Sequence, residues 1–260
     1  MGVVVGILVL ASPVIADFIE SWRADRTISQ ATTAVELINA DKKEALLAQA
    51  HAYNDQLATH ARSSGIWPYE QQLATDGSEA MCWVQIPRID VRLSVHHGTD
   101  EASLAAGAGH LEGTSLPVGG TSAHCVLSAH SGMPTARMFD DIHDLVPGDL
   151  FVLWTLGDPY AYRVTGSETV EPDNVGNLEI QPNKDLCTLV TCTPYGVNSQ
   201  RLLVHGERCA YEEAAGEEHP AMYLSPRVWP LVAGLVLAGG ALALTSWYVI
   251  RMRRRRAAGS

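Results

Sequence analysis

The sequence predicts a mostly-β domain, either a barrel or a sandwich, preceded by a helical segment and flanked by two membrane-spanning segments. Three observations lead to this prediction. From Met81 onward, short runs rich in β-branched and aromatic residues alternate with turn residues. Strong helix formers dominate the part before Met81. A long uncharged apolar stretch lies near the C-terminus, directly before a cluster of arginines.

Residues 1–16, MGVVVGILVLASPVIA, form an apolar run with no Lys or Arg before it. We interpret this run as an N-terminal membrane span. The other interpretation, a signal-like segment, lacks the basic residues that usually precede its apolar part. Both interpretations place the middle of the chain outside the cytoplasm.

Residues 17–80 are predicted to form a helical region. A helix is expected over about residues 27–62, because Asp41 and Glu44 are spaced as in a capping box and the helix formers of EALLAQAHAYNDQL follow. Gly65 and Pro68 then interrupt the helical pattern.

Residues 81–212 are predicted to form the β domain. Seven strand-like runs separated by turn residues are typical of a barrel or a sandwich. The runs are CWVQIP, DVRLSV, HCVLSA, LFVLWT, YAYRVT, CTLVTC and RLLVHG. Two longer connections are each expected to contain a short helix, at Glu101–Ala106 and at 136–145.

Residues 213–227 read as a linker, and residues 228–250 as a transmembrane helix. The second stretch, VWPLVAGLVLAGGALALTSWYVI, carries no charge and can cross a hydrocarbon core of about 30 Å. Aromatic residues lie near both of its ends. Five arginines then begin the tail 251–260, which the positive-inside rule assigns to the cytoplasm.

The charge of the chain limits its partners. The formal net charge is −11 although the tail is basic, so the exported part is more acidic still. A nucleic-acid partner is excluded, because phosphate binding needs a basic surface. The length of the exported part suits one domain with a substantial core.

Three residues at predicted strand ends could form a catalytic site. Cys192 follows a strand and precedes the turn TPYG, and His130 ends a strand before HSGMP. Arg201 begins the next strand, so a tight return could bring its guanidinium beside the sulfur. A thiol nucleophile, an imidazole and a fork of N–H donors suit attack on an acyl carbonyl. Each residue alone is more often structural, and other histidines are rival bases. These rivals are His96, His97, His110 and His205.

Two stretches resemble a known family. TLVTCTPYGVNSQRLLVHGER resembles the nucleophile signature of the sortases, T-L-x-T-C with an arginine some nine residues later. GHLEGTSLPVGG followed by VLSAHSGMPTARMFDDI is similar to their histidine segment. The resemblance spans about residues 80–208. Together with the apolar C-terminal span, it points to class C, the pilin-polymerising sortases of Gram-positive bacteria.

The resemblance implies an eight-stranded β-barrel and a cysteine transpeptidase. Such an enzyme cuts an LPxTG-like sorting motif between Thr and Gly, holds the acyl fragment as a thioester and transfers it to a lysine amine of a pilin subunit. Cys192 corresponds to the nucleophile, His130 to the general acid and then base, and Arg201 to the oxyanion donor. Thr191 is a supporting candidate. No cofactor is implied, and the spacing of Cys and His residues indicates no metal site.

Class C sortases often carry a lid with a D-P-aromatic motif, whose aspartate pairs with the arginine. The corresponding residues here are Trp67, Pro68 and Tyr69, so the aspartate is absent. The resemblance predicts that Trp67 or Tyr69 covers Cys192, without an ionic latch to Arg201. The alternative is a proline turn between helix and barrel.

Four cysteines remain besides Cys192. They are Cys82, Cys125, Cys187 and Cys209. Cys125 and Cys187 each lie five residues before a candidate site residue, and the family fold implies that their strands run parallel and adjacent. A disulfide between them behind the site is one expectation; buried free thiols are the other. An odd offset turns both away from the catalytic face.

Three other functions compete with pilin polymerisation. A housekeeping or accessory sortase would join surface proteins to a cell wall precursor. A cysteine protease would release a free acid even when amines are present. A scaffold or adhesin with the same barrel would have no need of Cys, His and Arg together.

Overall fold

The computed structural model describes residues 22–61, 64–133, 137–174 and 176–211, together with Gly234. Apart from Gly234, these residues belong to one compact unit. The predicted segments 1–16, 213–227, 228–250 and 251–260 lie outside the described residues, except for Gly234. No helix in the described part is long and apolar enough to cross a membrane.

The N-terminal region contains two helices where the sequence predicted one. Residues 22–37 form α1, and α2 spans Ala40–Thr59. The N-cap of α2 is Asn39, whose side chain accepts a hydrogen bond of 2.8 Å from the Lys42 amide. The predicted capping residue, Asp41, lies instead in the first turn, where a carboxylate interacts favourably with the helix dipole.

A buried amide fixes α2 against the barrel. Asn54 is 5 % exposed and accepts a hydrogen bond of 2.7 Å from the Leu116 amide. Its Nδ2 donates to the Leu116 carbonyl at 3.2 Å. Both backbone groups of Leu116 are therefore satisfied from the helix, as buried polar groups require. Leu46 and Ala50 bury their side chains on the same contact.

The β domain is a closed barrel in the order β1-β2-β3-β4-β7-β8-β6-β5. The structure confirms the eight-stranded barrel and excludes the sandwich. The strands are β1 Cys82–Ile86, β2 Val91–His97, β3 Ala108–His110, β4 Ala123–Ser128, β5 Leu150–Thr155, β6 Asp158–Val170, β7 Asp185–Thr193 and β8 Gln200–Arg208.

The connections differ from the prediction in two places. The helix Glu101–Ala106 is confirmed as α3, with Asp100 as its N-cap. The helix predicted over 136–145 is wrong in its described part, which contains only a 3-10 turn at Ile142–Asp144. The three-residue strand β3 was missed, because its sequence Ala-Gly-His carries no strand pattern.

Two strand pairings set the geometry of the candidate site. β4 runs parallel to β7, with Cys125 opposite Cys187 and Ser128 opposite Val190. β7 runs antiparallel to β8. Since strand side chains alternate between faces, the buried Leu127 and Leu189 mark the inner face of the barrel. Residues one position away point outward.

Candidate active site

Cys192 and Arg201 form a cross-strand pair. They lie directly opposite each other where β7 meets β8. Opposed residues on antiparallel strands share a face, with Cβ atoms about 4.5–5.5 Å apart. The strand register therefore places the guanidinium stem beside the sulfur, as the sequence predicted from a tight return.

His130 reaches the same level from the other side of β7. The β4–β7 pairs end at Ser128 and Val190, and the Ala129 amide still donates to the Val190 carbonyl at 3.1 Å. Two residues further along each chain lie His130 and Cys192. His130, Cys192 and Arg201 thus occupy one row across three neighbouring segments, which we call the catalytic row.

The catalytic row lies on the accessible outer face. Cys192, His130 and Arg201 are each half-buried. Thr191, one position before the nucleophile, is 3 % exposed, and its hydroxyl donates to the Ala129 carbonyl at 2.8 Å. The Thr191 side chain therefore supports the backbone from the inner side; the predicted oxyanion contact would have to come from its peptide group.

The backbone around His130 is held closely, whereas its ring is not. The His130 carbonyl accepts a hydrogen bond of 3.1 Å from the Phe139 amide. The Gly132 amide donates to the Asp140 carboxylate, which is 7 % exposed. Within the described ranges, the His130 imidazole has no hydrogen-bond partner, so both ring nitrogens are available to a substrate.

Arg201 bonds only to carbonyl oxygens of its own loop among the described residues. Its Nη1 donates to Gln200 at 3.1 Å and to Asn198 at 3.3 Å. No carboxylate of residues 22–61, 64–133, 137–174 or 176–211 forms an ion pair with it. Its positive charge is therefore not neutralised from within this part of the chain, in keeping with the missing lid aspartate.

The described hydrogen bonds of the lid candidates are with residues outside the catalytic row. Tyr69 is 8 % exposed, and its hydroxyl lies 2.9 Å from His110 Nδ1 and accepts a bond of 2.9 Å from the Gly98 amide. Burial raises the pKa of Tyr69. Tyr69 therefore fixes its segment to the C-terminal ends of β2 and β3, and its cover over Cys192 stays a prediction.

Trp67 and Pro68 contact the helical side of the domain. The Trp67 amide donates to Gln49 Oε1 at 2.9 Å, and its carbonyl accepts from Gln72 Nε2 at 2.9 Å. Pro68 precedes a 3-10 turn at Tyr69–Gln71. This geometry fits the alternative to the lid, in which Pro68 forms a turn between the helix and the barrel. The cover by Trp67, which is 37 % exposed, stays a prediction.

The other cysteines are free thiols in this structure. Cys125 and Cys187 are buried on the inner face and directly paired across β4 and β7, which confirms that they face away from the catalytic row. Burial raises the pKa values of the Cys82 and Cys125 thiols. The bridge between Cys125 and Cys187 stays a prediction. The described residues contain no cluster suited to a metal ion.

A chain of hydrogen bonds lies on the same outer face, four residues before Cys192 along β7. Thr188 Oγ1 lies 2.7 Å from His124 Nε2 and 2.9 Å from His205 Nδ1. His205 Nε2 lies 2.9 Å from Glu168 Oε1, and His124 Nδ1 lies 2.9 Å from the Glu179 carbonyl. We call these five residues the histidine network. They line a groove of about 530 Å³.

Sequence reasoning missed the histidine network and named only His205, as a rival base. The signal was present in the spacing. Thr188 precedes Cys192 by four residues and His205 follows Arg201 by four. An even spacing on paired strands puts both sets on one face.

The chemistry of the catalytic row is that of acyl transfer. The row combines a thiol, a permanently charged donor and an imidazole with unoccupied nitrogens. A carbonyl bound at Cys192 could be attacked by the sulfur, and the guanidinium of its cross-strand partner Arg201 could donate to the oxygen as charge develops there.

Comparisons with known proteins agree with this chemistry. The family model described as the sortase domain matches residues 84–209. The solved sortase C1 of Streptococcus agalactiae is 39% identical, with a TM-score of 0.67, and the match covers 71% of this chain and 98% of that one. Clostridium perfringens sortase C, solved with the C-terminal cell wall sorting motif, is 37% identical with a TM-score of 0.66, covering 72% and 100%. A curated relative, sortase A of Bacillus anthracis, is 27% identical over 78% of this chain and 89% of its own length.

Proposed function

The chain belongs to the sortase family of cysteine transpeptidases, and we propose that it is a class C enzyme that builds covalent pili. It cleaves an LPxTG-like sorting motif between Thr and Gly. It then transfers the acyl fragment to a lysine amine of the next pilin subunit. The observation that carries this proposal is the catalytic row, in which strand register brings Cys192 beside Arg201 and level with His130.

The first half of the reaction forms the thioester. The Cys192 thiolate attacks the carbonyl carbon of the motif's threonine, and Arg201 donates to the oxygen as negative charge develops there. The C–N bond to the glycine then breaks. His130, as the imidazolium, gives its proton to the departing amine nitrogen. A thioester on Cys192 and a neutral His130 remain.

The second half transfers the acyl group. A lysine amine attacks the thioester carbon while His130 takes a proton from its nitrogen. The C–S bond breaks, and the thiolate and the imidazolium are restored. The product is an isopeptide bond. No electrons are gained or lost, so no redox partner is needed.

The sorting-motif substrate is supported by the relatives. A solved relative was crystallised with a cell wall sorting motif. The two solved sortase C enzymes named above are 39% and 37% identical to this chain, whereas the curated sortase A of Bacillus anthracis is 27% identical. This difference favours the pilin-polymerising class over the alternative, attachment of surface proteins to a cell wall precursor.

We propose that the enzyme is held at the cell membrane of a Gram-positive bacterium. Residues 228–250 would span the membrane and the arginine-rich tail would lie in the cytoplasm. Residues 1–16 would form a second span or a leader. The catalytic domain, 81–212, would then face the cell exterior, where its substrates are displayed.

The decisive test uses the full chain in detergent micelles. A protein with a C-terminal LPxTG-type motif and several surface lysines is incubated with it, and products are separated under denaturing conditions. We expect a ladder of covalent multimers, with a thioester at Cys192 trapped by mass spectrometry. The variant Cys192→Ala should give neither product.

Other products would change the assignment. A single adduct with a cell wall precursor, without a ladder, would favour the alternative sortase class. Release of the free acid in the presence of lysine would indicate a protease. A ladder that persists in Cys192→Ala would remove the proposed nucleophile.

A further inference from the structure

We propose that Ser131 is a positioning residue, whose hydroxyl holds His130 level with Cys192 for proton transfer. The inference rests on the proposed function, because it assigns Ser131 a role in the step that His130 performs. Ser131 does not touch the reacting atoms. It acts through the backbone on either side of the catalytic row.

The main evidence is a hydrogen bond between the segment that contains His130 and the strand that contains Cys192. Ser131 Oγ donates to the backbone carbonyl of Cys192 at 2.5 Å. The two residues are 61 positions apart in sequence. The backbone pairs between β4 and β7 have already ended at Ser128 and Val190. The hydroxyl thus extends the connection between the two strands beyond their ladder.

A second hydroxyl makes the reciprocal bond. Thr191, on the nucleophile's strand, donates to the Ala129 carbonyl at 2.8 Å. Each segment therefore sends one hydroxyl to a carbonyl of the other. Ala129 and Ser131 are the two neighbours of His130, so the histidine lies between two tethered peptide units.

The positions of the Ser131 and Thr191 hydrogen bonds along the chain indicate which part of the backbone each of them restrains. Beyond Ser131 the chain leaves the barrel toward the 3-10 turn at Ile142–Asp144. The other hydrogen bonds described above between the two segments, from Ala129 to Val190 and from Thr191 to Ala129, lie before His130. The imidazole is not restrained by any hydrogen bond to the described residues, so its position depends on this backbone. Catalytic groups need placement within about 0.5 Å, and a shift of 1 Å can cost about 100-fold in rate.

The arrangement predicts a specific kinetic signature. Loss of the Ser131 hydroxyl should lower kcat about 10-fold, since a partial displacement costs less than the full 1 Å shift. KM for the sorting peptide should change little, because the proposed role of Ser131 is to position His130 and not to bind the peptide. Ser131→Thr keeps a hydroxyl on the same Cβ and should recover most of the rate.

The experiment compares Ser131→Ala, Ser131→Thr and Ser103→Ala in the full chain. Ser103 is the matched control, because its hydroxyl also donates to a backbone carbonyl, that of His97, at 2.7 Å and away from the catalytic row. Transfer of a peptide containing Leu-Pro-Ala-Thr-Gly to a lysine amide is measured, giving kcat, KM and the pH profile of kcat. Thermal unfolding is followed in parallel.

We expect a lower kcat and a changed pH profile only in Ser131→Ala, with rescue in Ser131→Thr. Three results would overturn the proposal: a parental kcat in Ser131→Ala, no rescue by threonine, or an equal loss in Ser103→Ala. A loss of kcat that merely follows a lower unfolding temperature would also count against it. Transfer by Cys192→Ala would overturn the proposed function itself, so the two failures are distinguishable.

Discussion

The catalytic row and the histidine network lie on the same outer face of β4, β7 and β8, yet their polar side chains are used in opposite ways. In the row, the His130 ring is unbound within the described part of the chain, and Arg201 bonds only to carbonyls of its own loop. In the network, both ring nitrogens of His124 and His205 have partners. A histidine side chain alone therefore does not identify a catalytic base. What distinguishes His130 is that its ring nitrogens have no hydrogen-bond partner among the described residues.

The hydrogen bonds of the histidine network use every nitrogen of its two imidazoles, and each of these bonds needs one proton. The Glu179 carbonyl can only accept, so His124 Nδ1 must carry a proton. Four hydrogen bonds link Glu179, His124, Thr188, His205 and Glu168, and they need four protons. Neutral His124, Thr188 and His205 carry three. The fourth must come from a second proton on one imidazole or from Glu168.

Hydrogen bonds and burial restrain the two imidazoles of the network. Desolvation lowers the pKa of His124, which disfavours its charged form. Both ring nitrogens of His205 are engaged, one by Thr188 and the other by Glu168. His205, a rival base by sequence, is thus held as a structural group, whereas the His130 ring has no hydrogen-bond partner among the described residues.

The largest effect expected from this contrast is that of replacing Arg201. Replacing it by alanine removes the guanidinium of the residue paired with Cys192, and we expect kcat for acyl transfer to fall about 100- to 1000-fold, as for loss of an oxyanion donor. Arg201→Lys keeps the charge without the planar fork and should lose less. Single-turnover acylation by a sorting peptide measures both. An unchanged rate in Arg201→Ala would contradict the role assigned to the row.

Thr188 tests the other side of the comparison. Its side chain is fully buried and bonds to two imidazoles, so Thr188→Val leaves two ring nitrogens unpaired. We expect the free energy of unfolding to fall by about 1–3 kcal/mol. Denaturant unfolding measures the loss, and turnover per folded molecule should stay close to that of the parent protein.

The matched control for Thr188→Val is Thr169→Val. Thr169 is exposed on β6, and its replacement should change stability by less than about 0.5 kcal/mol. If both variants lost the same stability, the network would contribute nothing beyond the change of side chain. If Thr188→Val lost turnover while remaining folded, the separation between network and row would fail.

The smallest expected effect is a pH dependence of stability. Burial lowers the pKa of His124, so the unfolded chain binds a proton more readily than the folded one. Stability should therefore be full above the unfolded pKa of about 6.5 and should fall as pH drops below it toward the folded value. Burial lowers the pKa values of His96 and His97 as well, in the same direction.

Urea midpoints measured between pH 8 and 5 would show this dependence. The variant His124→Asn should have a shallower decline than the parent protein, because one of the contributing histidines is gone. A midpoint that rose toward pH 5 would contradict the sign of the shift.

Much of the barrel could be read from the sequence, because its strands carry their own pattern. The runs around Cys192 and Arg201 were placed correctly, and the cross-strand pair followed from their tight return. β3 could not be found, since three small or polar residues form a strand only where β2 and β4 already supply partners. The contacts of Tyr69 could not be predicted for a related reason: its partners, His110 and Gly98, are distant in sequence.

The N-cap of α2 could not be identified from the local sequence either. Asp41 and Asn39 are both favourable capping residues, and their side chains are two positions apart. The break after α1 decides between them, and it depends on how the two helices meet the barrel. Capping propensity favours both residues at such a boundary, but it does not decide which of them caps the helix.

The parallel pairing of β4 with β7 has a consequence for the order of assembly. Cys192 and Arg201 are joined by a tight hairpin, whereas Thr191 and Ala129 meet across 62 residues. Closing the longer loop costs roughly 1.7 kcal/mol more in chain entropy than closing the shorter one. Cys192 and Arg201 should therefore come together early in folding, and His130 should join them only when the barrel closes. A nascent chain would then carry the thiol without the imidazole, and would gain the proposed transferase activity only on completing its tertiary structure.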